Sequence, residues 1–462
     1  MISERKHHLK LVLCEAKIMG ASPTGWQADY FHKLTTADQA VGLVRSGDRV
    51  WVHPGNAVPQ PLLEALVRRA GSLRDVEIVH LLTLGSAPYV RPEYASSFRH
   101  NGLFLGANVR DAAAAGEADY TPVCLSDVER LFTSGEMPID VAFVQASPPD
   151  ARGRVSLGVG VDCTLTAALC ARRVVAEINS NMPRTPGDTF LEVGQIAAIV
   201  ETTRPLLELP PARTTAATQR VARHVASLVP DGATLQIGIG AIGNEVLACL
   251  ADRRDLGIHS ELCPDGIVPL IRSGVITGAR KTLHPGKVVT GFVLGSQPLF
   301  DLIRDNPGFE FRPSRYVNDP FVIAQNDNMH AINSAIQVDL TGQVCADSVG
   351  SRPYSGVGGQ LDFMRGAGRS RGGKAIIALP STARGGTVSR IVPVLDPGAG
   401  VVTPRSDVQY VVTEHGIAYL RGKTLRQRAA ALIAIADPRF RSWLHEAAAG
   451  ARWVEAPSAL VA

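Results

Sequence analysis

Long apolar runs, paired cysteines and concentrated charge are all missing from this chain of 462 residues. No window approaches ~18 consecutive apolar residues, so no membrane-spanning helix is expected. Seven cysteines, at 14, 124, 163, 170, 249, 263 and 345, form an odd set without C-x-x-C spacing. That argues against a disulfide framework or a structural zinc site and predicts a reducing compartment, the cytoplasm. A formal net charge of +4 is mild. The arginines are dispersed and no aromatic residues interleave with a basic run, so no nucleic-acid surface is expected. His53, His80, His259, His284 and His415 lie apart without metal-ligand spacing. The N-terminus, MISERKHHLKLVLCEAKIMG, begins with charge and lacks the sustained apolar stretch and cleavage site of a secretory leader.

Against these absences stand 45% hydrophobic and 19% charged residues, the balance of a soluble globular enzyme. The length calls for two or three domains. Extended apolar runs alternate with amphipathic ones, the pattern of a parallel α/β sheet. DRVWVHPG, VEIVHLLTLG, GLFLGANV, DVAFVQAS and RVVAEIN read as strands covered on both faces. QPLLEALVRRAG carries Leu62, Leu63, Leu66 and Val67 on one helical face. ETTRPLLELPPARTT breaks the rhythm, because Pro205, Pro210 and Pro211 forbid regular structure and mark a linker near residues 201–215. Beyond it TQRVARHVASLV and NEVLACLADRR read as helices, and ATLQIGIG, KVVTGFVLG, INSAIQVDL, KAIIALP and VQYVVTE as strands. The C-terminal LRQRAAALIAIADPRFRSWLHEAAAGA reads as two helices parted at Pro438. Cys163, Cys170 and Cys249 read as small core residues. Segments 47–66 and 231–250 both run turn, strand, small-residue loop, helix, a hint of duplication. The expected fold is α/β, with two similar open domains of mostly parallel sheet over residues 1–205 and 206–462 and a site in the cleft between them.

Residues 233–266, ATLQIGIGAIGNEVLACLADRRDLGIHSELCPDG, carry the densest chemistry. Gly238, Gly240 and Gly243 spell G-x-G-x-x-G between a strand and a helix. Glu261 follows roughly 20 residues on, where a dinucleotide fold places its ribose-binding acid. The same turn would let the N–H groups of Gly238, Ile239, Gly240, Ala241 and Ile242 approach a different phosphate-bearing ligand, and Glu261 would then be a nucleophile. A tight turn without a ligand is the third reading of the glycines, and an acid paired with an arginine is the plain reading of Glu261. LGIHSE offers few apolar residues for the second strand that the dinucleotide reading needs. His259-Ser260-Glu261 imitates the H-x-E of zinc deaminases, but the P-C-x-x-C that supplies their other ligands is missing. A second cluster, YSGVGGQLDF from Tyr354 to Phe363, can turn backbone amides inward as oxyanion donors or form an ordinary glycine-rich turn. Two such loops with an acid between them suit acyl transfer from a thioester.

Longer motifs extend the pattern. They include Pro54-Gly55-Asn56-Ala57, HLLTLGSAPY from His80, Ser147-Pro148-Pro149-Asp150 with GRVSLGVGVD, and NMPRTPGD from Asn181. HSEL-CPDG, HPGK (284–287), YVNDP (316–320), AQNDNMHAINSAIQVDLTGQVCADS, SGVGGQLDF, ALPSTARGG and VTEHGIAYL follow in order. With these motifs the chain resembles the acetyl-CoA hydrolase/transferase family, particularly its 4-hydroxybutyrate and butyrate CoA-transferase branch, over nearly all residues beyond about 25. The resemblance implies the CoA-transferase fold, coenzyme A entering as acyl-CoA, a short-chain carboxylate as second substrate, no metal, and a homodimer. It implies Glu261 as the catalytic nucleophile of a ping-pong route through a mixed anhydride and a glutamyl-CoA thioester. It maps CoA binding onto Gly238, Ile239, Gly240, Ala241 and Ile242, and a further CoA or oxyanion position onto Gly359, with Ser355 nearby. A hydrolase using the same glutamate, or a non-catalytic CoA- or NAD-binding protein, stand as alternatives. Cys263-Pro264 replaces the phenylalanine and serine common in the branch, and Gly243-Asn244-Glu245 stands where a proline usually opens the helix. 4-Hydroxybutyrate specificity is therefore not implied.

Overall fold

Short runs of β-branched and small apolar residues build two large sheets in the computed structural model, which describes residues 25–210 and 212–453. The N-terminal stretch, Cys14 and Pro211 of the expected linker lie outside the described residues. The first sheet holds β1 (Arg49–Val52), β2 (Val76–His80), β3 (Phe98–Gly102), β4 (Ala118–Tyr120), β5 (Val141–Ala146), β6 (Arg173–Asn179) and β7 (Ala198–Thr202). All pair in parallel, in the order β4-β3-β2-β1-β5-β6-β7. β5 is buried at every position, as a strand covered on both faces requires, and its one polar side chain, Gln145, donates from Nε2 to the Ala57 and Val58 carbonyls at 3.3 Å.

The second sheet holds β8 (Thr234–Ile237), β9 (Gly257–Pro264), β10 (Val288–Leu294), β11 (Phe309–Phe311), β12 (Met329–Asn333), β13 (Lys374–Ala378), β14 (Tyr410–Thr413) and β15 (Gly416–Tyr419). Its order is β11-β10-β9-β8-β12-β13-β14-β15, parallel except for the final β14–β15 hairpin. Counted from the first strand of each sheet, the two orders coincide through seven strands. The order reverses at β1 and at β8, which are the strands of the two matched segments. Crevices at such reversals, beyond the carboxyl ends of the strands, are where open α/β sheets bind ligands.

Four helices tie the sequence pattern to these sheets. α1 (Gln60–Arg68) buries Leu62, Leu63, Leu66 and Val67. α2 (Leu125–Thr133) buries Leu125, Val128, Glu129 and Phe132, a helical stripe with an acid inside it. α3 (Ala241–Ala248) and α4 (Gln360–Arg369) each follow a glycine-rich loop. The two halves share a core: one apolar cluster includes Trp51, Val79 and Val144 together with Val161, Ile237, Val293 and Phe311. Main-chain bonds also cross the boundary, Val293 N–H to the Val159 carbonyl at 2.8 Å and Val161 N–H to the Gly291 carbonyl at 2.9 Å.

Several expectations need correction. The strand expected in GLFLGANV lies just before it, at Phe98–Gly102. Arg99, His100 and Asn101 disguise it, although His100 and Asn101 are buried. INSAIQVDL is broken after Asn333, and Gln337–Asp339 pairs instead in a small three-stranded sheet. α3 begins at Ala241, three residues before NEVL, because Gly240 with φ 102° marks its start. Cys170 is exposed at the last position of its helix, while Cys163 is buried and Cys249 half-buried. LGIHSE, poor in apolar residues, forms most of the eight-residue β9. Its buried polar side chains bond main chain: Ser260 Oγ donates to the Leu262 carbonyl at 2.6 Å, and His259 Nε2–H to the Val317 carbonyl at 2.9 Å, while His259 Nδ1 has no hydrogen-bond partner among the described residues.

Candidate active site

β9 carries Glu261 in its middle, with the strand pairing to β10 through Ser260 and again from Leu262. This is unlike the strand-end acid of a dinucleotide fold. The side chain is half-buried. Asn318, fully buried, donates from Nδ2 to Glu261 Oε2 at 2.9 Å. The Gly359 N–H faces the same carboxylate and favours its charged form. A Cβ at position 359 would stand 2.0 Å from Glu261 Oε2 and 2.2 Å from Asn318 Nδ2, so only glycine lets this backbone approach the acid so closely. Among the described residues no arginine, lysine or histidine forms an ion pair with Glu261, which removes its plain reading as an arginine-paired acid.

Burial raises the Glu261 pKa to about 7, against the lowering effect of the Asn318 and Gly359 donors; the charge of Asp162 adds to the rise. Asp162 reaches the site from the first half of the chain. Its backbone N–H bonds the Gly291 carbonyl at 3.1 Å, and its carbonyl accepts from Ser314 N–H at 3.1 Å. Burial likewise pushes Asp162 up to about 6 and Asp362 up to about 7. The carboxylate is thus held by neutral donors in a negatively charged surrounding. That suits a nucleophile better than a salt-bridged acid, whose lone pairs are already engaged.

The glycine turn adjoins Glu261 through the neighbouring strand. Ile237, the last residue of β8, donates its N–H to Ser260 Oγ at 3.3 Å. Gly238, Ile239, Gly240, Ala241 and Ile242 then run past the sheet edge into α3, with Ile239 exposed and the others half-buried. A Cβ on Gly243 would stand 2.2 Å from the Gly238 carbonyl, so the third glycine is there for close helix–strand packing. No side chain caps α3, which leaves its first N–H groups available to an anion. Ser355 is placed differently from the other expected residues. Its hydroxyl donates to the Ala346 carbonyl at 2.8 Å, and its own carbonyl accepts from Leu105 N–H at 2.9 Å. It shapes the loop before Gly359 rather than meeting Glu261.

No sequence pattern gives Asn318, Glu129, Asp162 or Asp362 a role. Asn318 lies inside the YVNDP motif, and Glu129 betrays itself only as an acid on the apolar stripe of α2. Among the described residues, no three His, Cys, Asp or Glu side chains gather in a way that could hold a metal ion. Two shallow hollows of about 310 and 290 Å³ lie around Gly187 and Phe190, and neither is lined by Glu261, Asn318 or Gly359. Arg154, Arg184 and Asp305 in the larger one are engaged in ion pairs.

The chain is similar to known proteins over most of its length. The profile of the acetyl-CoA hydrolase/transferase N-terminal domain matches residues 20–208, and that of the C-terminal domain matches residues 295–448. The interval between them holds the glycine turn and Glu261. The 4-hydroxybutyrate coenzyme A transferase of Clostridium kluyveri is 50% identical over 419 residues, covering 91% of this chain and 98% of that one. The crystal structure of RipA from Yersinia pestis superposes with a TM-score of 0.89 at 39% identity, covering 93% of this chain and all of that one. The 4-hydroxybutyrate CoA-transferase of Porphyromonas gingivalis gives 0.79 at 41% identity, covering 91% and 98%.

Proposed function

The chain belongs to the acetyl-CoA hydrolase/transferase family and is an acyl-CoA:carboxylate CoA-transferase, and from that premise we propose that Glu261 carries coenzyme A as a covalent thioester between two half-reactions. A carboxylate oxygen of Glu261 attacks the thioester carbon of the acyl-CoA. The C–S bond breaks, the thiolate departs, and an acyl-glutamyl anhydride remains. The thiolate then adds to the glutamyl carbon, the anhydride C–O bond breaks, and the donor acid leaves as its carboxylate. An incoming carboxylate runs the same steps in reverse and restores Glu261. Each step moves electron pairs only, and no proton is consumed over the cycle.

One observation carries this reading: a half-buried carboxylate held by the Asn318 amide and the Gly359 N–H, with no cation paired to it among the described residues. A carboxylate is a weak nucleophile and must be fixed in contact with the thioester carbon. The donors that steady its charge before attack also face the oxygen that becomes an oxyanion when the glutamyl carbon is itself attacked. Burial makes the carboxylate more basic than a solvated one. Gly238, Ile239, Gly240, Ala241 and Ile242 supply main-chain N–H groups suited to the phosphates of coenzyme A. The acids we propose are short, of the acetate, butyrate and 4-hydroxybutyrate class. Cys263 and Pro264, next to the nucleophile on β9, are placed to tune the choice among them.

Incubation with butyryl-CoA followed by digestion should add the mass of coenzyme A to the peptide bearing Glu261. An adduct that survives in Glu261→Ala would show the assignment to be wrong. Measuring CoA release with and without acetate identifies the acceptor, since release indifferent to acetate would make water the acceptor.

A further inference from the structure

Neither donor that meets Glu261 stands on a long element of its own half. Asn318 follows the single-turn helix Ser314–Val317, and Gly359 ends a glycine-rich loop at the start of α4. Own-half bonds hold them locally, Asn318 N–H to the Ser314 carbonyl at 2.8 Å and Phe363 N–H to the Gly359 carbonyl at 3.0 Å, and a second set of fastenings comes from the other half of the chain. The first turn of α2 grips the Gly359 loop: Leu125 N–H bonds the Gly358 carbonyl at 3.0 Å. Beside it the Ser126 N–H and hydroxyl bond the two oxygens of Asp362 at 3.1 and 2.8 Å. One turn later Glu129 accepts the Arg315 N–H at 2.7 Å on Oε1, while the Thr166 hydroxyl bonds its other oxygen. Glu129 and Asp362 are only 1% and 3% exposed. A buried carboxylate whose oxygens are both occupied makes a rigid fastening, because breaking it strands a charge away from water.

We propose that α2 is a positioning element for the transfer reaction, with Ser126 and Glu129 the residues through which the first half of the chain sets the Gly359 and Asn318 donors on Glu261. This rests on Glu261 being the nucleophile. It explains why an acid occupies the apolar stripe of α2, where a leucine would pack as well but could not accept the Arg315 N–H. It also makes the donor pair depend on the docking of the two halves. A change in α2, which bonds neither Glu261 nor the glycine turn, then alters rate rather than affinity.

The charged and titratable groups around the nucleophile are Asp162 from the first half, Asp362 on α4 and the Cys163 thiol, and Glu129 is coupled to Asp162 and Cys163. Removing the Glu129 charge lowers Asp162, whereas Ser126→Ala removes no charge and acts through Asp362, which loses a donor. Loosening the donors raises the Glu261 pKa, because both donors stabilise its charged form.

The experiment compares full-length Ser126→Ala, Ser126→Thr and Glu129→Gln in CoA transfer from butyryl-CoA to acetate across pH, with thermal unfolding alongside. In Ser126→Ala and Glu129→Gln kcat should fall about tenfold or more while KM for butyryl-CoA stays within about twofold. In Ser126→Ala the acid limb of the pH profile should also move upward, and Ser126→Thr, which keeps the hydroxyl, should restore both rate and limb. A folded Ser126→Ala with wild-type kcat and an unmoved limb would overturn the proposal, as would a loss that threonine does not repair. If Glu129→Gln fails to fold, the Ser126 pair decides alone. The underlying reading fails separately, through a coenzyme A adduct that persists in Glu261→Ala.

Discussion

Replacing Gly359 with alanine tests the site at its tightest point. Gly359 has φ −93° and ψ 7°, which alanine can adopt, so backbone strain does not enter. The added methyl would lie 2.0 Å from Glu261 Oε2 and 2.2 Å from Asn318 Nδ2. Carbon and oxygen rarely approach closer than about 3.3 Å, so the carboxylate oxygen must retreat by roughly 1 Å or more. A misplacement of about 1 Å costs on the order of 10²-fold in rate, and loss of an aligned donor costs about 10²–10³ in kcat. A fall in kcat of about 10²–10³ is therefore expected. The atoms displaced are the ends of two side chains rather than main chain, so the melting temperature should shift by no more than a few degrees, about what ~1 kcal/mol gives in a chain of this size. Steady-state transfer from butyryl-CoA to acetate, single-turnover formation of the Glu261 adduct and thermal unfolding together make the assay. A folded Gly359→Ala with kcat within about threefold of wild type would refute the reasoning, since the carboxylate could not then have needed its present position.

Three further predictions concern protonation. Glu261, raised to about 7, must be ionised to attack, so kcat/KM should fall about tenfold per pH unit below that value. Asn318→Asp sets a second carboxylate where the amide now donates at 2.9 Å. The acid limb should move upward, and a limb that stays near 7 or descends would argue against this placement of the charge. Glu177, buried on β6 with Oε2 lacking a hydrogen-bond partner among the described residues, is pushed up to about 8, first by burial, with Arg204 opposing and Glu64 adding to the rise. A raised carboxyl contributes stability at low pH that is lost as pH climbs through its folded value, by up to ~1.4 kcal/mol per unit. Thermal unfolding of Glu177→Gln should therefore show its advantage over wild type growing between about pH 5 and 8. A difference that does not change with pH would contradict the burial argument.

Much of the fold was legible because periodicity reports burial directly. The nearly continuous apolar run of β5 and the stripe on α1 follow from it. Where burial is achieved by polar residues the reading failed, as at β3 with His100 and Asn101 and at β9 with His259 and Ser260. These side chains sit inside because main-chain, side-chain or ring partners meet them there, and a hydropathy pattern carries no record of a partner. Glu261 and the glycine turn were readable as motifs. Asn318, 57 residues from Glu261 in sequence, and the Ser126–Asp362 pair, separated by 236, were not.

The sequence by itself determined the class of the chain: alternating strands and helices, a glycine turn ahead of an acid, and motifs in the order of one family. These are local properties, written in spacing and residue type. Which acid is held, by which donors, and from which half of the chain was decided only by tertiary structure. Seven strands in each sheet repeat one order, the two sheets share a core, and α2 of one half lies across the loops of the other. A carboxylate becomes a positioned nucleophile only when groups remote along the chain are brought within hydrogen-bond distance of it, and that nearness exists only after the two halves have packed together.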